Sequence, residues 1–521
     1  MVTRLPRLAL ALLAVPLLAT DPNITPPIPG GGRSTLVSPG PDGHLRYTPY
    51  TARGDLIPDF SHCGYGGGDR AIPAVPVRET LEPGPAETDD TPRIQAALDR
   101  LAALPPDANG LRGALLLRRG TYTCRTGLQI RAGGIVLRGE GDGETGTRII
   151  AAMKQAGPLV GIGGPSGPKE ESATRREITD DYVPVGARSF TVADASGYAA
   201  GQTVFVIRRG NAAWITELGM DRITPRASDP ASTKQWTPFD LRFDRVITAV
   251  EGNRVTVDAP IACALDRQWG GGALVRYADP ARIENSGVES LRAISTYDPA
   301  RTADYQGRTG PVDEDHATYL VRFENVKNAW ARGLTTLHFA HGPAYMDETA
   351  KWVTVDDCRA LAPVSIITGG RRYPYCILGQ LVLVSNCYSA EARHAFVFGA
   401  RVPGPNVFFN CRSEKDYATS EPHHRWSVGG IYDNVDASMA IQDRQWMGSG
   451  HGWAGANYVV WNSKGELVCQ QPPTAQNFAI GFTGKKTKGA FARPDGWWES
   501  QGVRVEPGSL FLAQRQDRLG R

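Results

Sequence analysis

The sequence predicts an all-β protein built as a parallel β-solenoid, and three observations carry that prediction. First, the stretch from Leu381 to Val435 alternates short apolar runs (LVLV, FVF, VFF) with tight polar breaks. Second, the segments NAWARGLTTLHF, KWVTVDDCRALAPV, LVLVSNCYSAEARH, NVFFNCRSEKDY and, less cleanly, YVVWNSKGEL align by those runs. The alignment puts Cys358, Cys387 and Cys411 at one place in successive units, 29 and 24 residues apart, with Gly333 a further 25 residues before. Third, 59 glycines and 38 prolines among 521 residues supply the many sharp turns that such units need. Repeats of this length cannot bury a face alone and gain a continuous core only by stacking. At a strand spacing of about 4.8 Å the cysteines form an inner ladder, as small hydrophobes in preference to disulfides or thiolate ligands.

Composition narrows the partners. With 41% apolar and 21% charged residues the chain is globular, and a net charge of +3 with dispersed lysines and arginines argues against a nucleic-acid partner. Residues 1–20 carry Arg4 and Arg7 ahead of LALALLAVPLLA, too short to span a bilayer, and read as a signal peptide that directs secretion or periplasmic export. No other stretch reaches 18 apolar residues, so no membrane span is expected.

In chain order, 21–52 reads as a Pro/Gly-rich linker without regular structure. Residues 53–175 read as an N-terminal cap with the first rungs. Within them TDDTPRIQAALDRLAAL predicts a helix, with Asp90 or Thr91 as cap, Pro92 in the first turn and Ile94, Ala97, Leu98 and Leu101 on one face. From 176 to 266 the rhythm changes to period-two alternation with an EGN hairpin signal, a small antiparallel β insertion or flap whose middle loop holds Trp214 and Trp236. Residues 267–500 form the main solenoid with the active-site face, and 501–521 a C-terminal cap, with SLFLAQRQDRLG as a helix over the last rung.

PDFSHCGYGGG, DDTPRIQAALD, RGALLLRRGTY and GIVLRGEGDGETGT resemble the amino-terminal segment of pectate-lyase-like right-handed parallel β-helix proteins, and the resemblance continues through the rungs of 285–500. It implies a right-handed β-helix whose open end is capped by the helix. RRYPY, RHAFVFG, PHHRW and GSGHGWAGAN resemble a bacterial carbohydrate-active subfamily. The superfold hosts lyases, hydrolases, epimerases, transferases and non-catalytic tailspikes, so the chemistry has to come from the residues. Trimers are common in it, and an oligomer is left open.

Three of 9 histidines fall within 31 positions, His394, His423 and His424, beside Arg393, Arg425 and Trp426. Rung offsets place His338, Arg393, His394 and Tyr417 on one side of the solenoid. These groups suit β-elimination on a uronate-containing polysaccharide. Arg393, Arg425 and the Arg371–Arg372 pair neutralise the substrate carboxylate by bidentate contacts. His394 or His424 takes the C5 proton. Tyr417, Tyr432 or a second histidine, such as His423, serves the leaving oxygen. Tyr373, His338, His451 in its Gly-rich turn, Trp453 and Trp426 line the sugar. DEDHATY (Asp313 to Tyr319), HFAHGPAYMDE with His341, and QDRQWMG with Asp443, Arg444 and Trp446 are further polar clusters without a fixed role.

Two alternatives stay open. A glycoside hydrolase or fructosyl-type transferase would use paired carboxylates drawn from Asp347, Glu348, Asp356, Asp357 and Asp433. A glycan-binding β-helix would use the 11 tryptophans as stacking surfaces. No cofactor is required; the ladder lacks a repeating Asp cluster, and a divalent cation such as calcium is left open. The identity of the glycan and endo or exo attack are not legible.

Overall fold

The computed structural model describes residues 31–85, 88–305 and 307–520. The signal-peptide expectation for 1–20 therefore lies outside the described residues.

The body is a parallel β-helix. One sheet runs through Leu128–Ile130, Val160–Gly163, Tyr319–Glu324, Gly342–Met346, Tyr375–Ile377, Phe396–Ala400 and Glu421–His424, every neighbouring pair parallel. Its partners begin as long bent strands, Gly287–Ser295, Val326–Leu337 and Lys351–Leu361. In later rungs each divides in two, as in Leu383–Ser385 with Tyr388–Ala390 and Pro403–Phe409 with Arg412–Glu414. The bend is legible in the sequence. Gly333, Asp357, Asn386, Asn410, Asn434 and Asn462 all take positive φ, between 48° and 60°. Gly and Asn tolerate that left-handed region best. Asn410 Nδ2 donates to Asn386 Oδ1 at 2.7 Å, and Asn386 Nδ2 to Asp356 Oδ1 at 2.8 Å, so the corner is tied from rung to rung.

The inner ladder is Leu334 on Cys358, then Cys387, then Cys411. Gly333 is thus the corner one place before the ladder and not a member of it. All eight cysteines are buried and free. The helix Thr91–Ala102 puts Ile94, Ala97, Leu98 and Leu101 into the same interior core. Asp90 stands at the N-cap position, its carbonyl accepting from Ile94 N, but its side chain makes no capping bond. Its carboxylate accepts from Arg93 Nε (2.6 Å) and Thr123 N (2.7 Å), while Asp89 accepts from Thr91 N.

The described part of the 21–52 segment is ordered, against the linker reading. Val37–Pro39 pairs with Leu45–Tyr47, and Gly32–Arg33 with Val505–Glu506. Leu36, Val37 and Leu45 supply the reason, since they bury against outward-facing Val459, Trp461, Phe478 and Ile480. The helix Leu510–Leu519 joins the same cluster through Leu510 and Phe511. It therefore covers a lateral sheet face and not the last rung.

The insertion is an antiparallel sheet with strand order Lys169–Glu170, Gly272–Ala278, Thr203–Arg208, Leu241–Glu251, Arg254–Val257, Ser189–Thr191. It extends beyond 176–266 on both sides, because Gly272–Ala278 is a central strand. A second core, with Trp214, Trp236 and Phe239, joins it to the β-helix through Trp426, Val428, Trp453 and Ala456.

Candidate active site

Register creates the site. The residues that point away from the core in the first sheet fall in one row, Arg322, Tyr345, Cys376, Val397 and Glu421, one per rung. The corner that leads into each strand carries His341, then Tyr373, then His394, so their rings recur along the axis. Tyr319 and His341 stack at 4.4 Å, and His341 and Tyr373 meet at 6.3 Å. Tyr373 then lies 5.1 Å from His394 and 5.2 Å from His423, and His394 and His423 are 4.8 Å apart. His423 and His424 each reach His451, at 4.9 and 4.7 Å. Five of the 9 histidines thus share one continuous row of rings.

At its centre is a hydrogen-bonded chain. Arg444 Nη1 donates to Glu421 Oε1 at 2.5 Å and to the His423 carbonyl at 2.7 Å. Those two bonds use both Nη1 protons. His423 Nδ1, 2.8 Å from Glu421 Oε1, is therefore assigned the ring proton and donates to the carboxylate. Nε2 is left with a lone pair, which accepts the Tyr373 hydroxyl at 3.1 Å. Arg393 Nη1 donates to the same phenolic oxygen at 3.1 Å. His394 Nδ1 donates to the Thr419 carbonyl at 2.5 Å, so its buried Nε2 carries a lone pair without a partner among the described residues.

Burial sets the charge states. It lowers His394 to about 3, against the opposing pull of Glu421, and His341 to about 3. His424 falls to about 4, and His423 and His451 lie well below the usual histidine range, with Arg444 reinforcing burial in all three. The row is neutral imidazole at neutral pH. Burial also raises the Tyr373 phenol, with Arg393 opposing, so the hydroxyl keeps its proton.

The loop that presents His451 is shaped by glycine and braced by the insertion. Gly448 adopts φ 58°, ψ −123°, and a Cβ there would stand 2.0 Å from His451 Cε1. Trp236 Nε1 donates to the Gly450 carbonyl at 3.0 Å. Arg425 and Trp426 both take positive φ, 55° and 56°, a strained turn of the kind that collects at functional sites.

Of the residues expected at the site, the structure brings together His394, His423, His424, Arg393, Tyr373 and His451. Arg425 is beside them, and its guanidinium is held by the Ser449 carbonyl and hydroxyl. The others are engaged elsewhere. Tyr417 packs on Tyr305, Arg308 and Arg372. Arg371 pairs with Glu314, buried Arg372 donates to the Ser365 carbonyl, and His338 packs edge-on to Tyr297. The rings of Trp426 and Trp453 are packed in the insertion core, with no face left for a sugar to stack on. Tyr432 is a core residue bonded to the Phe396 carbonyl. Asp347 pairs with Arg322, and Glu348 is exposed. Asp356 holds Ser385 and Asn386, and fully buried Asp433 accepts from Ser509 Oγ and Phe511 N at the start of the last helix. Tyr417 does lie one rung on from Ala392, its N–H donating to the Ala392 carbonyl at 2.8 Å, but its ring turns to Tyr305 and Arg372. Sequence reasoning passed over Glu421 and gave Arg444 and His341 no role. The available signal was SEPHHRW, where Glu421 and His423 stand two apart in one strand and so share a face.

His394, Glu421 and His423 have ligand atoms within 4.8 Å of one another. Two imidazoles and one carboxylate suit zinc better than calcium, which takes oxygen ligands. Arg444 already supplies the positive charge, 2.5 Å from Glu421 and 2.8 Å from His423 Nδ1.

No family model and no curated protein matches the sequence. Among solved structures, the chain is similar to the tailspike protein gp49 from Pseudomonas phage LKA1. Identity is 14%, coverage 76% of this chain and 57% of that one, and the TM-score 0.45. The tailspike of E. coli bacteriophage HK620, solved with a pentasaccharide, matches at 10% identity over 78% of this chain and 55% of that one, TM-score 0.38. PfbA, a surface adhesin of Streptococcus pneumoniae, matches at 11% identity over 78% and 79%, TM-score 0.31. The chain spans little more than half the length of either tailspike.

Proposed function

We propose that the protein is an exported polysaccharide lyase that cleaves an anionic, uronate-containing glycan by β-elimination. The observation that carries this reading is the chain Arg393, Tyr373, His423, Glu421, Arg444, set beside a buried imidazole with a free Nε2. Elimination needs a base for the C5 proton, an acid for the leaving oxygen, and a cation on the C6 carboxylate that makes the C5 proton acidic.

His394 Nε2 takes the C5 proton, the C5–H electrons form the C4–C5 double bond, and the C4–O4 bond breaks. Tyr373 gives its proton to O4. The phenolate that remains is stabilised by the Arg393 guanidinium, and both groups exchange protons with water after product leaves. Arg393 and Arg425 face the substrate carboxylate. Glu421 and Arg444 hold His423 in the tautomer that receives the Tyr373 hydroxyl, as positioning residues. The hydrolase reading is weaker, since Glu421 is the one carboxylate in the hydrogen-bonded chain, and it is held by Arg444 and His423. Incubation with a panel of uronate polysaccharides tests the proposal, read by ultraviolet absorbance of the unsaturated product. New reducing ends without that absorbance would replace it with hydrolysis.

A further inference from the structure

A cavity of about 350 Å³ lies between the insertion, the N-terminal segment and the C-terminal rungs, at the small end of the ~300–1,000 Å³ usual for ligand pockets. Arg208 lines it, 3% exposed, with its guanidinium 3.7 Å over the Trp214 ring. Among the described residues its Nη1 has no hydrogen-bond partner and no carboxylate forms an ion pair with it; Asp240 and Asp266 act on its charge only at longer range. The carboxylates of the same cavity are satisfied. Asp266 pairs with Arg53 at 2.5 Å and accepts from Gln268 N, while Asp55 accepts from Tyr182 Oη at 2.7 and 2.8 Å and from Val185 N. The cavity therefore has hydrogen-bonded anions and one buried cation without an ion-pair partner.

A second donor is also unspent. Trp426 lines the cavity, 1% exposed, and its Nε1 has no partner. The Cys263 thiol is in reach of both donors, but sulfur is a weak acceptor and satisfies neither. Leaving a buried cation and a buried N–H unmatched is costly, and an anion would offset it. Toward solvent the lining turns to the amides of Gln471 and Gln476 and the half-buried Trp269 ring, groups that suit hydroxyls and a sugar face.

We infer that this cavity binds a small hydroxylated carboxylate of the sugar-acid class, with its carboxylate on Arg208 and Trp426 and its hydroxyls on the glutamines. The ligand is either a free sugar acid or the end of a chain that carries one. The inference does not rest on the histidine site being a lyase.

Calorimetry of the full chain with D-glucuronate, D-glucose, sulfate and a uronate tetrasaccharide tests it. Glucuronate binds, and glucose and sulfate bind at least about tenfold more weakly, the share of one charge-assisted contact. Arg208→Gln costs glucuronate about tenfold or more, and Trp426→Phe, which keeps the ring and removes the N–H, also weakens it. Tyr373→Phe leaves this binding intact, which separates the cavity from the histidine site. A tetrasaccharide that binds more tightly than the monomer assigns the chain end; equal or weaker binding assigns the free acid. Should Arg208→Gln fail to fold, glucuronate still raises the melting temperature of the wild-type protein, and glucose and sulfate do not. Absent glucuronate binding, unselective binding of glucose or sulfate, wild-type affinity in both variants, or a melting temperature that glucuronate leaves unchanged would each overturn the inference.

Discussion

The Tyr373 hydroxyl lies 3.1 Å from His423 Nε2, and the other nitrogen of that ring is 2.8 Å from Glu421. The phenol and the carboxylate are thus coupled through one imidazole whose proton position is fixed at Nδ1. Tyr373→Phe keeps the ring packing and removes the acid, so kcat should fall by about 10²–10⁴, the usual worth of a general acid, with thermal stability nearly unchanged. A variant within a few-fold of wild type would take Tyr373 out of the chemistry.

Burial of the histidines makes two separable pH predictions. His394 sits at about 3 in the folded chain against 6.5 unfolded. Above pH 6.5 both states are neutral and its contribution to stability is fully present. Below 6.5 the unfolded chain takes up a proton that the folded chain refuses, so stability falls by about 1.4 kcal/mol per pH unit for each such group until its folded value is reached. Urea midpoints should therefore drop between pH 6.5 and 4, and His394→Asn should make that slope shallower. The rate, in contrast, should stay flat from pH 8 to 5 for protein that remains folded; an acid limb near the ordinary histidine value would contradict a neutral His394 base.

Arg444 occupies the charge position that His394, Glu421 and His423 could otherwise offer to a metal. Chelator treatment should leave wild-type activity unchanged. Arg444→Ala should lose activity, because the His423 tautomer is no longer enforced, and should gain zinc binding measurable by calorimetry. Loss of wild-type activity with chelator would place a metal in the mechanism.

Gly448 lies where a Cβ would come within 2.0 Å of His451. Gly448→Ala should displace that ring and cost about 1–3 kcal/mol, measured as a lower melting temperature with reduced activity. An unaltered variant would show that the loop yields freely.

Asp433 and Glu421 are both buried carboxylates, yet only one of them should matter for activity. Asp433 anchors the start of the last helix, and burial raises it to about 6. Asp433→Asn should cost about 1–2 kcal/mol, as for a lost helix cap, and spare kcat. Glu421→Gln should lower kcat and also cost stability, about 3–5 kcal/mol, because buried Arg444 loses its carboxylate.

The architecture was legible because its cause is local. Asn before a small residue after each apolar run marks a left-handed corner, and Asn386, Asn410 and Asn462 stand there. The site was half legible. His394, His423, His424 and Arg393 are rare residues set close in sequence, whereas Glu421 and Arg444 are common residue types whose importance comes from register alone. The two tryptophans were misplaced for a related reason. Their burial depends on how the insertion packs against the later rungs, which its period-two alternation does not reveal. The segment 31–52 was misread because Pro and Gly outweighed Leu36, Val37 and Leu45, whose burial depends on a sheet face remote in sequence.

The most direct measurement is ultraviolet absorbance of the conjugated C4–C5 double bond while the wild-type protein and Tyr373→Phe each meet a panel of uronate polysaccharides. The account predicts a steady rise with wild type on at least one anionic glycan and almost none with the variant. Chain shortening by wild type with no absorbance change, on every glycan that it shortens, would contradict elimination.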